Sequence, residues 1–396
     1  MTRPRVMLLG AGDLGRELVG SFQQLGAEVI AVDRHAGTPG QRIADESAVT
    51  ELTDPVALTA LIERIAPDYV VTATDTVAAD ALAGAAADGR TEVVPGAKSA
   101  RLTLDREGLR KLAADELGLP TAPFWFAGSA QELAALTEHV GYPLVVKPLV
   151  ALPGEWQSVL LRPEDVEPAW QRAVAAGGWA AHNRVLVETV IEIDHEITML
   201  TVRSGDGTLH FCEPIGHRQV DATGEPVLQT WQPQQMSQIA VDAARSIAAR
   251  IVNALGGRGM FGVELLVRGD EVYFSDVTAC PHDVGLVTLR SQRLSIFDLY
   301  ARAALGLPVD GIMVSPAAAE VLYVVDETGD PEGGGSVAAL TAALGVPESD
   351  VRIFPGPALG PARRRVALAL ASAPDVTAAR ERVSQVSRAL RQWWRR

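Results

Sequence analysis

Short apolar runs alternate with amphipathic stretches over the first hundred residues. The apolar runs predict buried strands at residues 5–9, 28–33, 69–73 and 92–95. The stretches between them predict helices at residues 14–25, 56–65 and 77–86. Strands and helices that alternate in this way are typical of a parallel, doubly wound sheet. We therefore expect a first domain of this type at residues 1–113.

The pattern changes after a charged helical connector at residues 100–119, which ends at Gly118-Leu-Pro120. In the block that follows, the predicted order is helix, strand, strand, helix and strand, at residues 130–140, 143–148, 158–162, 164–176 and 184–188. A loop containing Pro153 and Gly154 separates the first two strands. This order does not continue the first sheet and predicts a small α+β domain at residues 114–190.

From residue 196 onward the predicted strands are antiparallel. Strands at residues 196–202 and 209–214 flank a Ser204-Gly-Asp-Gly207 turn. A long helix at residues 237–255 leads to a second hairpin, and the last hundred residues contain short strands and a helix at residues 376–393. These elements predict a third domain at residues 191–396, and an α/β fold of three modules.

The composition limits the function more than the fold. At 396 residues the chain is too long for one ordinary core, and 47% hydrophobic against 21% charged residues is a globular balance. The net charge of −14 argues against a nucleic-acid-binding surface. The N-terminal apolar run of about four residues is too short for a signal peptide or a membrane span. We expect a cytoplasmic protein with no membrane partner, in which Cys212 and Cys280 are free thiols.

A glycine motif, Gly10-Ala-Gly12-Asp-Leu-Gly15, follows the first predicted strand and opens a helix. The spacing fits a dinucleotide-binding turn, and Asp33 ends the next strand, where such a protein holds a ribose. By itself the motif indicates only an anion-binding site, because backbone N–H groups at a helix N-terminus can receive a phosphate of any small molecule. Since no later segment is typical of dehydrogenase chemistry, we favour a ligand other than NAD.

Two acids lie on the strands of the hairpin at residues 259–278. If its loop is centred on Asp270, Glu264 lies directly opposite Asp276, and opposite residues in an antiparallel pair share a face. Two carboxylates on one apolar face repel each other and lose hydration, and Mg²⁺ relieves both costs. A two-residue turn would instead place them on opposite faces. The alternative to a metal site is a pair of exposed carboxylates on an edge hairpin.

Several segments, spread along most of the chain, together carry a resemblance to a known family. They are residues 5–15, residues 28–34, residues 106–110, Glu196-Ile-Thr, Gly216-His-Arg-Gln219, Trp231-Gln-Pro-Gln-Gln-Met236, Phe261-Gly-Val-Glu264 and Pro281-His-Asp283. With these segments the chain resembles the formate-dependent phosphoribosylglycinamide formyltransferases, an ATP-grasp family of purine synthesis. The resemblance runs nearly from end to end.

This resemblance implies an ATP-grasp fold with a Rossmann-like first module, a small lid and a C-terminal module with an antiparallel sheet. It also implies ATP and Mg²⁺ as cofactors and a homodimer as the assembly. Enzymes of the family phosphorylate formate with ATP, and the amine of glycinamide ribonucleotide then attacks the formyl phosphate. Phosphorylation helps because it converts a poor leaving oxygen into a good one.

Carried over position by position, the resemblance implies three groups of site residues. The ATP-binding residues are Arg106, Lys147, Glu188, Ile191 and Glu196. The Mg²⁺ ligands are Glu264 and Asp276, the latter a shorter acid than the glutamate of the family. The substrate-binding residues are Asp13, Leu14, Asp75, Asp283, Arg363 and Arg364, and we assign the catalytic roles to Arg106 and Asp283.

The chain departs from the family where the chemistry is expected. The loop at residues 150–157 carries Glu155 where the family has a lysine, Cys280 replaces a phosphate-binding arginine, and Gly356 replaces a phosphate-binding lysine. Residues 72–77 lack the glutamate that meets the substrate amine, and Asp75 or Thr74 lies near its place. Fewer cations weaken the contacts to phosphate. Three functions stay open: the purine reaction, the ligation of another carboxylate and amine, and nucleotide binding without catalysis.

Overall fold

The computed structural model describes residues 3–149, 157–176, 184–222, 225–324, 337–354 and 364–391. Strands in these ranges form three sheets of five, four and nine strands, which follow one another along the chain. Three consecutive modules are therefore present, as the sequence predicts. The domain boundaries near residues 113 and 190 stay predictions.

The first sheet is parallel and has the strand order β3-β2-β1-β4-β5. Its strands are β1 (Arg5–Leu9), β2 (Glu28–Asp33), β3 (Glu46–Val49), β4 (Tyr69–Thr72) and β5 (Glu92–Val94). The helices between them are α1 (Asp13–Gln24), α2 (Pro55–Ile65) and α3 (Ala79–Asp88). The strand order reverses between β1 and β4, and ligands of open α/β sheets bind at the carboxyl ends of the strands at such a point.

A helical connector leads from the first sheet to a four-stranded antiparallel sheet. The connector consists of α4 (Ala97–Leu104), α5 (Arg106–Lys111) and a π-helical turn (Leu112–Glu116). The sheet has the order β6-β9-β7-β8, and its strands are β6 (Phe124–Ala127), β7 (Leu144–Pro148), β8 (Ser158–Leu160) and β9 (Val185–Thr189). Helices α6 (Ala130–Val140) and α7 (Val166–Ala176) bury apolar residues against it.

The nine-stranded sheet has the order β15-β14-β10-β12-β13-β16-β18-β17, with β11 beside β10. Its strands are β10 (His195–Arg203), β11 (Leu209–Phe211), β12 (Ile215–Ala222), β13 (Glu225–Gln232), β14 (Gly259–Arg268), β15 (Glu271–Thr278), β16 (Ala317–Val324), β17 (Ser349–Ile353) and β18 (Arg364–Ser372). The accompanying helices are α8 (Gln238–Leu255), α9 (Thr288–Ser291), α10 (Ile296–Ala304), α11 (Val337–Leu344) and α12 (Val376–Arg391).

Helix α8 shows how the sequence pattern produces the packing. Ser237 accepts a hydrogen bond from the backbone N–H of Ala240 at 3.1 Å and so caps the first turn. Ala244, Ile251 and Leu255 lie on one apolar stripe and are buried in a core with residues of β10 and β14. This stripe covers one face of the sheet, and the opposite face carries polar residues such as Thr198 and Glu264.

The first sheet and helix α10 share one hydrophobic core. Leu8 and Val71 of the first sheet belong to the same buried cluster as Phe297 and Tyr300 of α10. The Tyr300 hydroxyl donates to the carbonyl oxygen of Thr72 at 2.7 Å. The carboxyl end of β4 is therefore held against the module that contains the nine-stranded sheet.

The sequence analysis missed four strands, namely β3, β6, β12 and β13. Strand β3 is largely exposed and β12 carries polar residues, so their pairing depends on neighbouring strands more than on a local apolar pattern. Both cysteines are free thiols, as expected. Within the described ranges, no helix combines the length and the apolar character that crossing a bilayer requires.

Replacing Tyr300 with Phe is expected to destabilise the contact between the two modules. The ring packing is kept, but the buried Thr72 carbonyl loses its donor, at a cost of about 1–3 kcal/mol. We expect the thermal midpoint to fall by about 2 °C or more in a fluorimetric melt. Tyr273→Phe is the matched control, because its hydroxyl contacts only exposed groups of its own hairpin. Equal midpoints for the two variants would contradict this role of Tyr300.

Candidate functional site

The hairpin of β14 and β15 places Glu264 directly opposite Asp276. Its turn contains only Gly269 and Asp270, and the ladder pairs next to the turn follow the register of a two-residue turn. The register then shifts beside Glu264, where Ser275 has no ladder partner. This β-bulge adds one residue to β15 and aligns the two acids. The expectation that a two-residue turn separates them was wrong, because it left out a bulge.

Arg110 of α5 holds this bulge in place. It is 4% exposed, and its guanidinium donates to the carbonyl oxygens of Phe274 and Ser275 at 3.2 and 2.8 Å. Carbonyl groups at a bulge lie off the regular ladder and need other donors. No signal in the sequence pointed to this role, since Arg110 lies far from the hairpin along the chain.

The carboxylate pair belongs to a row of polar side chains on one face of the nine-stranded sheet. Thr198 of β10 pairs with Glu264, and Glu196, two residues earlier on β10, pairs with His217 of β12. Residues two apart on a strand point to the same side. Glu196, Glu264 and Asp276 therefore present three carboxylates to one face.

Electrostatics on this face favour a bound cation. Burial raises the pKa of Glu264, and the neighbouring charges of Asp276 and Glu196 raise it further. Burial also raises the pKa of Glu196, against the opposing charge of Lys147. Ionised carboxylates at these positions are costly unless positive charge is added.

The donor set fits Mg²⁺, because carboxylate oxygens are hard ligands of the kind this ion prefers. No group of three or more His, Cys, Asp or Glu side chains within the described ranges is arranged as a metal site. Glu264 and Asp276 would supply two ligands and leave the remaining positions to phosphate oxygens and water. That arrangement is usual where Mg²⁺ binds together with a nucleotide.

Arg106 reaches this face from the start of helix α5. Its Nε lies 3.4 Å from a carboxylate oxygen of Asp276, and its Nη1 donates to the carbonyl oxygen of Pro148 at 2.6 Å. Asp105 caps the helix by accepting the backbone N–H of Gly108 at 2.9 Å. Arg106 therefore joins the end of β7 to the carboxylate pair and presents a cation between the two sheets.

Lys147 and Glu188 form a second charged contact on the four-stranded sheet. Nζ of Lys147 lies 2.7 Å from Glu188, which also forms an ion pair with Arg110. Burial by itself raises the pKa of Glu188, but Lys147 and Arg110 outweigh it and the pKa is lowered. This carboxylate is therefore held by two cations, and its contact with ATP stays a prediction. Ile191 lies in the connection between β9 and β10.

A separate polar cluster lies between the first sheet and the far end of the nine-stranded sheet. Asp283 accepts hydrogen bonds from Arg365 through Oδ1 and from Tyr323 through Oδ2. The Arg365 guanidinium also lies 4.0 Å from Asp13, at the start of α1, and 5.2 Å from the ring of Phe354. Burial, reinforced by Asp283, raises the pKa of Asp13 against the effect of Arg365. The cluster suits a ligand that has both anionic and hydroxyl or amine groups.

The cation of this cluster is Arg365, which the sequence analysis did not select. Arg365 and Arg364 are adjacent on β18, so their side chains point to opposite faces of the sheet. The run of arginines at residues 363–365 was the sequence signal for this cation. Only the pairing of β18 with β16 decides which arginine faces Asp283. Arg363 lies outside the described residues, and the substrate role of Arg364 stays a prediction.

The glycine motif is built into the fold in a way that does not favour a dinucleotide. The Asp33 carboxylate accepts the backbone N–H of Ala11 at 2.8 Å, so it is occupied where a ribose would need it. Gly40 donates to the carbonyl of Ala11 at 2.7 Å and packs against it. Leu14 packs against the hydrophobic core. The motif therefore leaves Asp13 as its polar group near the second cluster.

Asp75 and Cys280 meet at the edge between the modules. Asp75 follows β4, Cys280 follows β15, and the thiol lies 3.4 Å from Oδ1 of Asp75. Burial raises the pKa of Asp75 to about 6 and raises that of the Cys280 thiol well above its usual value. Asp75 therefore occupies the edge of the candidate site that faces the first sheet.

Two buried histidines near these acids are neutral. Burial lowers the pKa of His217 and of His282 to about 4. His217 shares a hydrogen bond of 3.1 Å with Thr198, and His282 contacts Thr278 and the carbonyl of Cys280. Both rings are held by the fold, which agrees with a structural role.

Two expected features lie outside the described residues. The loop with Glu155 falls on residues 150–156, and Gly356 falls on residues 355–363. Whether these segments contact ATP or the substrate stays a prediction.

Two family models match separate parts of the chain. The ribonucleotide synthetase preATP-grasp domain matches residues 4–103, and the ATP-grasp domain matches residues 112–297. The first range contains the parallel sheet and the glycine motif. The second contains the four-stranded sheet and the carboxylate pair.

Proteins of known name are similar over nearly the whole chain. Formate-dependent phosphoribosylglycinamide formyltransferases from Burkholderia mallei (strain SAVP1) and Paraburkholderia xenovorans (strain LB400) are 50% and 49% identical to it. Each match spans 392 residues, which is 98% of this chain and 95% of the relative.

Solved structures agree with these matches. Glycinamide-RNase-transformylase T from Mycobacterium tuberculosis superposes with a TM-score of 0.82 at 50% identity, covering 98% of this chain and 99% of that one. Carboxyaminoimidazole ribonucleotide synthase from Aspergillus clavatus, complexed with ATP, superposes with a TM-score of 0.83 at 21% identity, covering 99% of both chains. The second likeness concerns the fold alone. The ATP-grasp fold that the sequence predicts is confirmed.

Glu264→Gln is expected to stabilise the metal-free protein at high pH. Since the folded-state pKa of Glu264 is raised, the folded chain binds more protons than the unfolded chain above the ordinary glutamate value. The stability of the wild type therefore falls as the pH rises from the ordinary glutamate pKa toward the raised pKa of Glu264. The variant has no carboxyl group at this position and does not lose this stability. We expect its thermal midpoint at pH 8 to exceed that of the wild type by roughly 1–3 °C, with little difference at pH 4.

Added Mg²⁺ should raise the midpoint of the wild type at pH 8 and that of Glu264→Gln much less. Glu271→Gln, at an exposed acid of the same hairpin, is the control and should behave as the wild type does. A Glu264→Gln midpoint no higher than the wild-type value in metal-free buffer at pH 8 would mean that the two acids are not forced together.

Proposed function

Because the chain belongs to the formate-dependent phosphoribosylglycinamide formyltransferase family of ATP-grasp enzymes, we propose that it activates formate with ATP and formylates glycinamide ribonucleotide. The observation that carries the proposal is the carboxylate pair Glu264 and Asp276, which faces Arg106 and Lys147 between two sheets. The 50% identity over 392 residues supports the choice of substrates.

In the first step an oxygen of formate attacks the γ-phosphorus of ATP, and ADP leaves. The chemistry adds negative charge around the transferred phosphoryl group, so fixed cations stabilise the transition state. Mg²⁺ held by Glu264 and Asp276 would supply part of that charge. Arg106, beside Asp276, would supply another part, because its guanidinium is already oriented by the carbonyl of Pro148.

Lys147 would add a second fixed cation. Its ion pair with Glu188 holds Nζ near Glu196 and Glu264, whose pKa values respond to the lysine charge. A cation that is oriented before ATP arrives loses little entropy on binding. We propose that Glu196 binds the ribose of ATP, since it lies on the same face, two ladder positions from the carboxylate pair.

The cluster of Asp13, Asp283 and Arg365 would bind the ribonucleotide. Arg365 supplies a cation that suits a phosphate or a ribose oxygen, and the two acids suit hydroxyl or amine donors. The cluster adjoins the carboxyl end of β1, where the strand order of the first sheet reverses. This position would bring the amine of the ribonucleotide toward the acyl phosphate.

A second candidate function is the ligation of a different carboxylate to a different amine by the same chemistry. The contact between Asp75 and Cys280 favours it, because these residues stand at places where the resemblance implies a longer acid and an arginine. A change in both partners of one contact alters the shape and charge that meet the amine. The phosphate chemistry at Glu264 and Asp276 would be the same in either case.

We also propose that the working assembly is a homodimer, as the family resemblance implies. Light scattering coupled to size-exclusion chromatography measures this directly. A mass corresponding to a single chain of 41.9 kDa at micromolar concentration would contradict it.

Arg106→Gln tests the proposed function in an assay of formate-dependent ADP release with glycinamide ribonucleotide present. Losing a fixed cation beside the transferred phosphoryl group is expected to lower kcat/KM by about 100-fold or more. Arg184→Gln is the matched control, because this arginine pairs with Glu107 at the partly exposed surface and should change the rate by less than about threefold.

The wild-type assay separates the three functions. Release of ADP with formate and formation of formylglycinamide ribonucleotide would support the proposal. Release of ADP only with another carboxylate and amine would favour the second candidate. ATP binding without ADP release for any pair tested would leave a nucleotide-binding protein without catalysis.

A further inference from the structure

Formyl transfer requires a group that accepts a proton. When the amine attacks, a C–N bond forms, the C–O bond to phosphate breaks with its electron pair going to the phosphate, and the nitrogen must lose a proton. The sequence analysis assigned a catalytic role to Asp283 in this region. In the structure, however, both oxygens of Asp283 already accept hydrogen bonds, one from Arg365 and one from Tyr323. Hydrogen bonds to the charged form lower the basicity of a carboxylate.

We propose that Asp75, and not Asp283, accepts the proton of the attacking amine, and that the Cys280 thiol positions the Asp75 carboxylate. The inference rests on the proposed function and deepens it. It assigns Asp75 a catalytic role and Cys280 a positioning role that are specific to the residues of this chain. Asp283 then serves to bind the ribonucleotide.

The place of Asp75 in the fold supports this assignment. It follows β4 at the strand-order reversal, and its neighbour Thr74 packs against Gly10 so closely that a Cβ there would lie 2.8 Å from the threonine methyl group. On its other side it contacts Cys280, four residues after Asp276. Asp75 thus lies between the glycine motif, which adjoins the ribonucleotide cluster, and the carboxylate pair that would hold the phosphates. An amine that bridges these two groups would therefore lie near the Asp75 carboxylate.

The hydrogen bonds of Asp75 leave it free to act as a base. Oδ1 accepts only the thiol of Cys280, at 3.4 Å, and a thiol is a weak donor. Oδ2 accepts no hydrogen bond from any residue in the described ranges. The two acids differ in their donors. Asp283 accepts from a guanidinium and a phenol, whereas Asp75 accepts from a thiol.

The charges around Asp75 suit a general base. Burial raises its pKa to about 6, the Cys280 thiol lowers it, Asp276 raises it and Arg106 lowers it. Tyr300 lies on the side of the first sheet, where its hydroxyl donates to Thr72. A base with a pKa slightly below the working pH is ionised and still accepts a proton well. The thiol itself stays protonated, because burial raises its pKa well above the usual value.

The test compares two half-reactions in Asp75→Asn and Asp283→Asn. Formyl phosphate is trapped with hydroxylamine as formyl hydroxamate in the absence of ribonucleotide, and formylglycinamide ribonucleotide is measured at saturating substrate. In Asp75→Asn we expect the ratio of formyl transfer to acyl-phosphate formation to fall by about 100-fold. In Asp283→Asn we expect a raised KM for the ribonucleotide and a ratio at saturation within about fivefold of the wild type.

The Cys280 variants add a readout that a purely structural role would not change. Because the thiol donates to Asp75, Cys280→Ala should raise the pKa of the carboxyl and move the acidic limb of the transfer rate to higher pH. Cys280→Ser, with a stronger hydroxyl donor, should move it to lower pH. Equal shifts in both variants, or none, would overturn the role of the thiol. Melting curves identify any variant that fails to fold.

The outcomes separate this inference from the proposed function. If the wild type forms formyl hydroxamate, the proposed first step stands whatever the variants do. An unchanged ratio in Asp75→Asn together with a collapsed ratio in Asp283→Asn would then overturn the inference alone. Absence of formate-dependent hydroxamate and ADP in the wild type would overturn the proposed function and the inference with it.

Discussion

The repulsion between Glu264 and Asp276 is the constraint on which the rest of the site depends. Two carboxylates forced onto one partly buried face raise each other's cost of ionisation, and only added positive charge relieves it. The fold accepts this cost through a bulge at Ser275 whose carbonyls are bonded by Arg110. A site that is costly without its ligands gains differential stability when they bind, which is the thermodynamic basis of tight cation and phosphate binding.

The same constraint explains how the small sheet and the large sheet are joined. Arg106 contacts Asp276 on one side and the end of β7 on the other, and Arg110 joins the bulge to Glu188 of β9. Each arginine therefore joins the acidic hairpin to the four-stranded sheet.

Acids of the same chemical type acquire different roles because their donors differ. Glu264 has like charges as neighbours and suits a cation, whereas Asp283 accepts hydrogen bonds from a guanidinium and a phenol and keeps acceptor sites for a ligand. Among the described residues, Asp75 accepts a side-chain hydrogen bond from the Cys280 thiol alone, which is a weak donor. Glu188 is fully committed to Lys147 and Arg110. The neighbouring groups of each carboxylate, more than its residue type, determine what it can bind.

The sequence alone determined the order of the modules, the parallel first sheet and the acidic hairpin, because strand and helix periods and turn residues are local properties. It did not determine the register that aligns Glu264 with Asp276, since the bulge is held by Arg110 from a distant helix. Nor did it show that Arg365 is the arginine that faces Asp283, because strand pairing decides which side chains share a face. The donors that distinguish one acid from another come from segments far apart in the chain, and only the tertiary structure brings them together.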